Sequence, residues 1–519
     1  MTLMTEAPKA SATSAERFME LDGLRQEYLE RVRECSALTK PKVFPKEGYL
    51  PNDKVRIGWM SHGDRLVSNM ISQLLLILFP PNIPFFHLDI TDLDVKQLAS
   101  STPGDAEGSK SQLDALQETF LVLENSTAVK FESLNYREKM RKVLAQLVVG
   151  GSSCFVNLKG SSVKVYPIED WVCRRDNEGE VIESVTRDIL SRATASDADF
   201  VGVEESVGVT TIFTHSIRTG KQWVVTRANE KGIVISTATF TLKDFIFNFP
   251  TWELYAKDDY GTGLVEENIA DLRTLETGTQ LLTESTQSMA KLLFMISPNG
   301  VTKAQDLASA PNGGVISGEA DDVGVLSANK TYDFQGFSQL LQSIRQDLDA
   351  SFMMASVIRR DAERVTAEEI RRMSQEFEKA KGGIYSGMSM SIQTPIARDL
   401  LAEVLEATSL VSSDLQLDML TPVISAGLHG LGRSLELESL TAYLGDLKAL
   451  GWEHLVDPKV AAVRIASLRN VVTKGLIKTP AMLQQEAQDQ QSQALAASVA
   501  PQVVKNMGAQ GGQPQAPQQ

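Results

Sequence analysis

Residues 265–295 read VEENIADLRTLETGTQLLTESTQSMAKLLFM, a run with no proline and a single glycine, Gly278. Its pattern predicts one helix of roughly 45 Å at about 1.5 Å per residue, ended by Pro298 and the Asn299-Gly300 turn. Residues 298–333 then hold PNG, PNGGV and VISGEADDVGV, the chemistry of turns and short strands. A second helix follows, with Phe337, Leu340, Leu341, Ile344, Leu348 and Phe352 along one face. Two long helices therefore bracket a small turn-rich tip. A single helix pair leaves part of that stripe uncovered, and an uncovered apolar stripe marks an interface. Phe337, Leu340, Leu341, Ile344 and Leu348 are accordingly the candidates for self-assembly.

Beyond the second helix the chain reads SVIRRDAERV over 356–365, a basic cluster of Arg359, Arg360 and Arg364. A third helix starts at Thr366, where Thr366 and Glu369 form a T-x-x-E capping box. Ile370, Met373, Phe377, Ala380 and Ile384 continue it as a narrow apolar seam. Gly382 and Gly383 interrupt that seam and predict a kink. Shorter helices fill 395–480, and from about 484 the chain turns Gln/Ala-rich and then Gly/Pro-rich, the composition of a disordered tail.

Upstream, 15–150 is mainly helical, with stripes at Leu21, Leu24, Tyr28 and Val32 and at Met140, Val143, Leu144, Leu147 and Val148. From 154 to about 250, runs such as CFVNL, TTIFTHSI and QWVVTRA alternate with Gly and Asn turns, which predicts an antiparallel sheet insert. The fold class is α+β, mainly α. At 519 residues and 42% apolar content the chain can fill sizeable cores. The apolar run ISQLLLILF at 71–79 stops at Pro80, well short of the ~20 residues a membrane span takes. The N-terminus has no secretory core. Cys35, Cys154 and Cys173 lie far apart, offering neither a disulfide framework nor a zinc site. A net charge of -15 argues against a protein that grips nucleic acid along a broad face, though not against one that touches DNA and lets go.

No catalytic constellation assembles. His62, His87, His215, His429 and His454 are isolated, with no HExxH. GDAEGSKS at 104–111 has Ser109 where a phosphate loop demands glycine before Lys110. GGSSC at 150–154 lacks nucleophile-elbow spacing and reads as a helix-to-sheet turn. Asp89, Asp92 and Asp94 lack the glycine and distal glutamate of a calcium loop. No cofactor or metal is expected, and the chain reads as a structural or conduit protein.

Five strings carry a likeness to a known family: LTKPKVFPK at 38–46, LFPPNIPFFHLDI at 78–90, YGTGLVEENIADLRTLE at 260–276, RVTAEEIRRMSQEFEKAKGGIYS at 364–386 and PVISAGLHGLGRSLELESL at 422–440. In that order they resemble the head-to-tail connectors, or portal proteins, of short-tailed podoviruses of the autographivirus kind. The resemblance implies a ring of twelve copies at one capsid vertex. It implies a wing over 1–264 containing the sheet insert, stem helices over 265–295 and 334–354, and a small α/β clip over 296–333. A channel loop over 355–365, a kinked helix crossing to the wing over 366–406, a helical crown over 407–482 and a tail over 483–519 complete it. The implied partners are double-stranded DNA held weakly and without sequence preference, the large terminase subunit, a tail adaptor, and scaffolding and major capsid proteins. The implied location is the virion, after assembly in the bacterial host cytoplasm. Arg359, Arg360 and Arg364 would then ring the DNA path; without the resemblance they read as a solvated loop paired with Asp361 and Glu363. The alternatives are a non-enzymatic adaptor or scaffold of the virion, and a packaging ATPase or nuclease component.

Overall fold

The structure, a computed structural model, describes residues 13–50, 52–55, 58–81, 84–89, 106–158, 160–193, 196–203, 208–289, 293–311, 314–326, 331–354, 372, 375–377, 379, 383–408, 423–426, 432–456 and 458–468. Arg359, Arg360, Arg364, Thr366, Glu369 and Gly382 lie outside these residues, as does the Gln-rich tail. The chain divides into two compact units, residues 1–91 with 123–431, and residues 92–122 with 432–519.

The first unit opens with helices α1 (Ser14–Leu24) and α2 (Gln26–Leu38), the former started by a complete capping box between Thr13 and Glu16. Helix α3 (His62–Leu78) places Leu66, Val67, Met70, Ile71, Leu74, Ile77 and Leu78 at helical spacing, all buried. Strand β1 (Phe86–Asp89) follows, then the long helix α4 (Ala106–Ser133), whose first part belongs to the second unit. Helix α5 (Tyr136–Gly150) packs on α3 through Met140, Val143, Leu144, Leu147 and Val148, none of them exposed at all. Each such side chain contributes about 1.5–3 kcal/mol by leaving water, so this helix pair is the centre of the core. Gly151, at φ 75°, ends α5 and turns the chain into the sheets.

Strands β2 (Cys154–Val156) and β3 (Lys164–Tyr166) begin a three-stranded sheet. Strands β4 (Trp171–Arg175), β5 (Val181–Ser191), β6 (Val209–Thr219), β7 (Gln222–Asn229) and β8 (Val234–Thr241) form an antiparallel meander in sequence order. Strand β9 (Phe247–Asn248) returns to pair with β2. Helix α1 lies on the meander through Phe18 and Leu21, which meet Val172, Val185 and Phe213.

The helical stretch that begins at Leu264 differs from the expectation of one unbroken helix over 265–295. A single turn, α6 (Leu264–Glu267), stops at Asn268, whose side-chain amide donates to Leu264 O at 2.8 Å. Helix α7 then runs Ile269–Met289, about 31 Å at ~1.5 Å per residue. The LFMI that closes the quoted stretch and enters Ile296 is not helix but strand β10 (Leu293–Ile296). Its partner, beyond the short helix α8 (Ala304–Ser309), is β11 (Val323–Leu326), in antiparallel register from Leu293↔Leu326 to Ile296↔Val323. A run of large apolar side chains suits either element, and pairing with a distant strand decides it.

Helix α9 (Thr331–Ser351) packs back along α7. At Gly383 the expected kink is a full break: with φ 90° the residue cannot sit in a right-handed helix, and α10 (Ile384–Met388) starts anew after it. A π-helical turn over Ser389–Gln393 leads into α11 (Thr394–Thr408). Pro395 has no amide hydrogen to continue a regular ladder, and at the junction the Thr394 amide bonds Ser389 O, five residues back. Strand β12 (Val423–Ala426) pairs with β1. The second unit contains α12 (Gly432–Ala449) and α13 (Pro458–Leu468), which pack on each other.

Candidate functional site

The antiparallel arm of α7 and α9 is held by one close approach. Gly278, buried on α7, faces Phe337 and Leu341 of α9, and a β-carbon there would come within 2.5 Å of Leu341 Cδ2. Leu341 and Leu348 are buried, as are Leu272 and Leu275 of α7. Leu340 points outward, 51% exposed, as does Leu281 of α7. Phe337 and Ile344 are half-buried. The five stripe residues therefore divide: Leu341 and Leu348 serve the arm itself, and Leu340 is the one left on the outside.

The distal arm is almost free of charge. Residues 277–289, TGTQLLTESTQSM, carry only Glu284, and residues 331–344, TYDFQGFSQLLQSI, only Asp333. Such depletion is the compositional mark of a buried interface core.

Polar contacts fix the base of the arm. Glu276 of α7 accepts hydrogen bonds from the Trp59 and Met60 amides at 2.8 and 3.1 Å. Arg273 pairs with Glu34 of α2, its second nitrogen lying 2.6 Å from Oε2. At the far end of α9, Asp349 lies 3.2 Å from His62 Nε2. Met353, in the left-handed region at φ 54°, offers its carbonyl to Gln73 Nε2 at 3.2 Å, and Met354 Sδ accepts from Asn69 Nδ2 at 2.9 Å. Helix α3 thus anchors α9 at three points just before the chain enters 355–371. Burial pulls the His62 imidazole below its ordinary value despite Asp349.

At the opposite end of the arm, Asp322 organises the tip. Its Oδ2 accepts from the Val301 and Thr302 amides at 2.7 and 3.1 Å and from Thr302 Oγ1 at 3.1 Å, while its carbonyl accepts from Ser297 N at 3.0 Å. The Thr302 and Val301 amides hold its carboxyl below the usual range. Neither Asp322 nor the Glu276 clamp carries a sequence signal beyond being an acid at a turn or on a helix.

Three described histidines, His62, His87 and His215, lie in separate structural pairs. His87 Nδ1 lies 2.6 Å from buried Glu124, and His215 Nε2 lies 2.8 Å from Glu183, which also takes both Arg17 bonds at 2.7 and 2.8 Å. Among the described residues no cluster of His, Cys, Asp and Glu could hold a metal ion. Residues 106–111 of the glycine-lysine loop are helical backbone, not a phosphate cradle. Burial pushes the Cys35 thiol up to about 12 and the Cys173 thiol to about 11, and all three cysteines are buried and unpaired with one another.

The comparisons with known proteins bear on this arrangement. Residues 11–468 match the family described as bacteriophage head to tail connecting protein. The portal protein of Enterobacteria phage T3 is 30% identical over 505 residues, covering 94% of this chain and 91% of its own. That of Escherichia phage T7 is 28% identical over 487 residues, covering 90% and 89%. Among solved structures, the neck of an empty gene transfer agent particle aligns with a TM-score of 0.36 at 10% identity, over 79% of this chain and 89% of that one.

Proposed function

This chain belongs to the bacteriophage head to tail connecting family, and from that premise we propose that it works as a phage portal, a ring at one capsid vertex through which the genome is packaged and released. One observation carries the reading: a two-helix arm, sealed internally by Gly278 against Leu341, presents a distal surface nearly free of charge on a chain of net charge -15. A surface so depleted suits burial against further copies. The α7–α9 arm is the stem, the β10–β11 tip the clip, residues 1–264 the wing and residues 407–482 the crown. Twelve copies close the ring, and heterologous contacts close only when the rotation between neighbours divides the circle.

In this reading the protein is a structural component of the virion's head-to-tail junction, assembled in the host cytoplasm, and hydrolyses nothing itself. The clip receives the large terminase subunit during packaging and a tail adaptor afterwards, and scaffolding and major capsid proteins surround the wing. Residues 355–365, leaving from the α3-anchored end of α9, carry Arg359, Arg360 and Arg364 toward the DNA path. Weak contacts to phosphate position a duplex without reading its sequence. Electron microscopy of the purified protein tests the reading: closed rings with a central hole are expected, and particles that stay monomeric across assembly conditions would overturn it.

A further inference from the structure

The string LTKPKVFPK at 38–46, within the wing, opens a loop of unusual charge. Over residues 40–58 five cations (Lys40, Lys42, Lys46, Lys54 and Arg56) face two acids, Glu47 and Asp53, in a chain whose net charge is -15. Lys42, Lys46 and Lys54 are exposed, and so are the apolar groups Leu50 (66%) and Trp59 (45%). The loop borders a cleft of about 620 Å³ lined by Lys40, Lys42, Val55, Trp59 and Met60 among others. A cationic rim around an apolar cleft suits an acidic surface that carries an apolar projection.

The same chain presents such a surface. Residues 14–30 hold five acids (Glu16, Glu20, Asp22, Glu27 and Glu30) and two arginines. Both arginines are buried and each also holds one of these acids: Arg17 is bonded to Glu183 and to Glu20 at 2.8 Å, and Arg25 to the Ile168 and Trp171 carbonyls at 2.7 and 2.6 Å and to Asp22 at 2.7 Å, which leaves Glu16, Glu27 and Glu30 as the acids not paired with them. What remains at the surface of the α1–α2 corner is acidic, and from it project Met19, 70% exposed, and Leu24, 78% exposed. The corner and the basic loop lie at opposite ends of the thirteen-residue helix α2, about 20 Å apart at ~1.5 Å per residue. The two faces thus differ in sign and shape and are separated along a rigid element, the geometry of a head-to-tail contact.

We propose that the acidic α1–α2 corner of one copy, with Leu24 and Met19 as its anchors, docks into the basic 40–60 loop and its Trp59 cleft on a second copy. This contact rests on the ring reading above and gives the wing its own lateral interface, separate from the stem. Charged rims of this kind govern register and association rate, while buried apolar anchors govern lifetime.

Charge exchange tests it. One variant carries Lys42→Glu, Lys46→Glu and Lys54→Glu, the other Glu27→Lys and Glu30→Lys. All five sites are exposed, and circular dichroism and melting temperature check that each variant folds. Sedimentation velocity should show each variant alone needing at least ten-fold higher concentration than the parent to assemble. An equimolar mixture should regain parental assembly, because every reversed loop then meets a reversed corner and every native loop a native corner. Unimpaired assembly of either variant overturns the proposal, as does a mixture that is not rescued. Normal assembly of the lysine variant with lost binding of a duplex oligonucleotide also overturns it, and makes the loop a nucleic-acid contact instead. Failure of the parent itself to assemble counts against the ring reading, which separates the two outcomes.

Discussion

A β-carbon on Gly278 would lie 2.5 Å from Leu341 Cδ2 and 3.2 Å from Phe337 Cζ, so the two long helices meet where α7 has no side chain. Gly278→Leu should force them apart and cost at least about 1–3 kcal/mol by overpacking. Gly278→Ala gains about 1 kcal/mol of helix propensity and displaces only a methyl end of Leu341, so it should stay within about 1 kcal/mol of the parent. Thermal unfolding of the two variants checks the contrast; equal melting temperatures would mean the helices are not in contact there.

The division of the stripe gives a second expectation. Leu341→Ala and Leu348→Ala should each destabilise the fold by about 2–5 kcal/mol, because both side chains are buried within the arm. Leu340→Gln, at a half-exposed position, should change stability by less than about 0.5 kcal/mol yet weaken assembly. Denaturant titration and sedimentation on the same samples separate these effects. A stable Leu348→Ala variant that failed to assemble would show that the buried face is the interface.

The Arg17–Glu183–His215 group sets a pH dependence. Burial raises the Glu183 carboxyl, but hydrogen bonds from Arg17 and His215 outweigh it and lower the value from an ordinary 4.5 to about 2. A depressed carboxyl stabilises the fold fully above its unfolded value and loses that stabilisation as pH falls through its folded one. Between about pH 4.5 and 2 the protein should therefore lose roughly 3 kcal/mol from this group. Glu183→Gln should flatten that part of an acid-unfolding curve and also cost stability at neutral pH, since the buried Arg17 then keeps only the more exposed Glu20 as a carboxylate partner.

Changing Arg359, Arg360 and Arg364 together to Ala should leave ring assembly intact, because the stem helices do not involve them. Heads built with the triple variant should package short genomes or leak DNA, read as genome length and nuclease-sensitive DNA. Full-length, stably retained genomes would return the cluster to a solvated loop paired with Asp361 and Glu363.

Much of this architecture is written in local pattern. The stripes of α3 and α5, the meander's alternating runs and the turn at Gly150-Gly151 all follow from side chains within a few residues of one another. The helix pair and its tip are legible for the same reason. Four features were not. LFMI at 293–296 has the same apolar density as a helix end, and only its distant partner 323–326 makes it a strand. Asn268 breaks the long helix through one amide bond to Leu264, a detail that no period reveals. The inside-outside division between Leu341 and Leu340 depends on where a glycine sits on the other helix. The Glu276 clamp joins residues far apart in the chain, and an isolated glutamate on a helix announces nothing.

The two fastenings at Arg273 and Glu276 lie within one turn of α7, near its start. Beyond them α7 continues from 277 to 289, about 20 Å at ~1.5 Å per residue, with α9 alongside. Mechanically the arm is a cantilever clamped at its root. The deflection of such a beam under a sideways load grows with the cube of its free length, so a push on the β10–β11 tip is taken up along the distal half while the root stays still. Where neighbouring arms lie side by side, each one stiffens the next, and the tips move as a single collar.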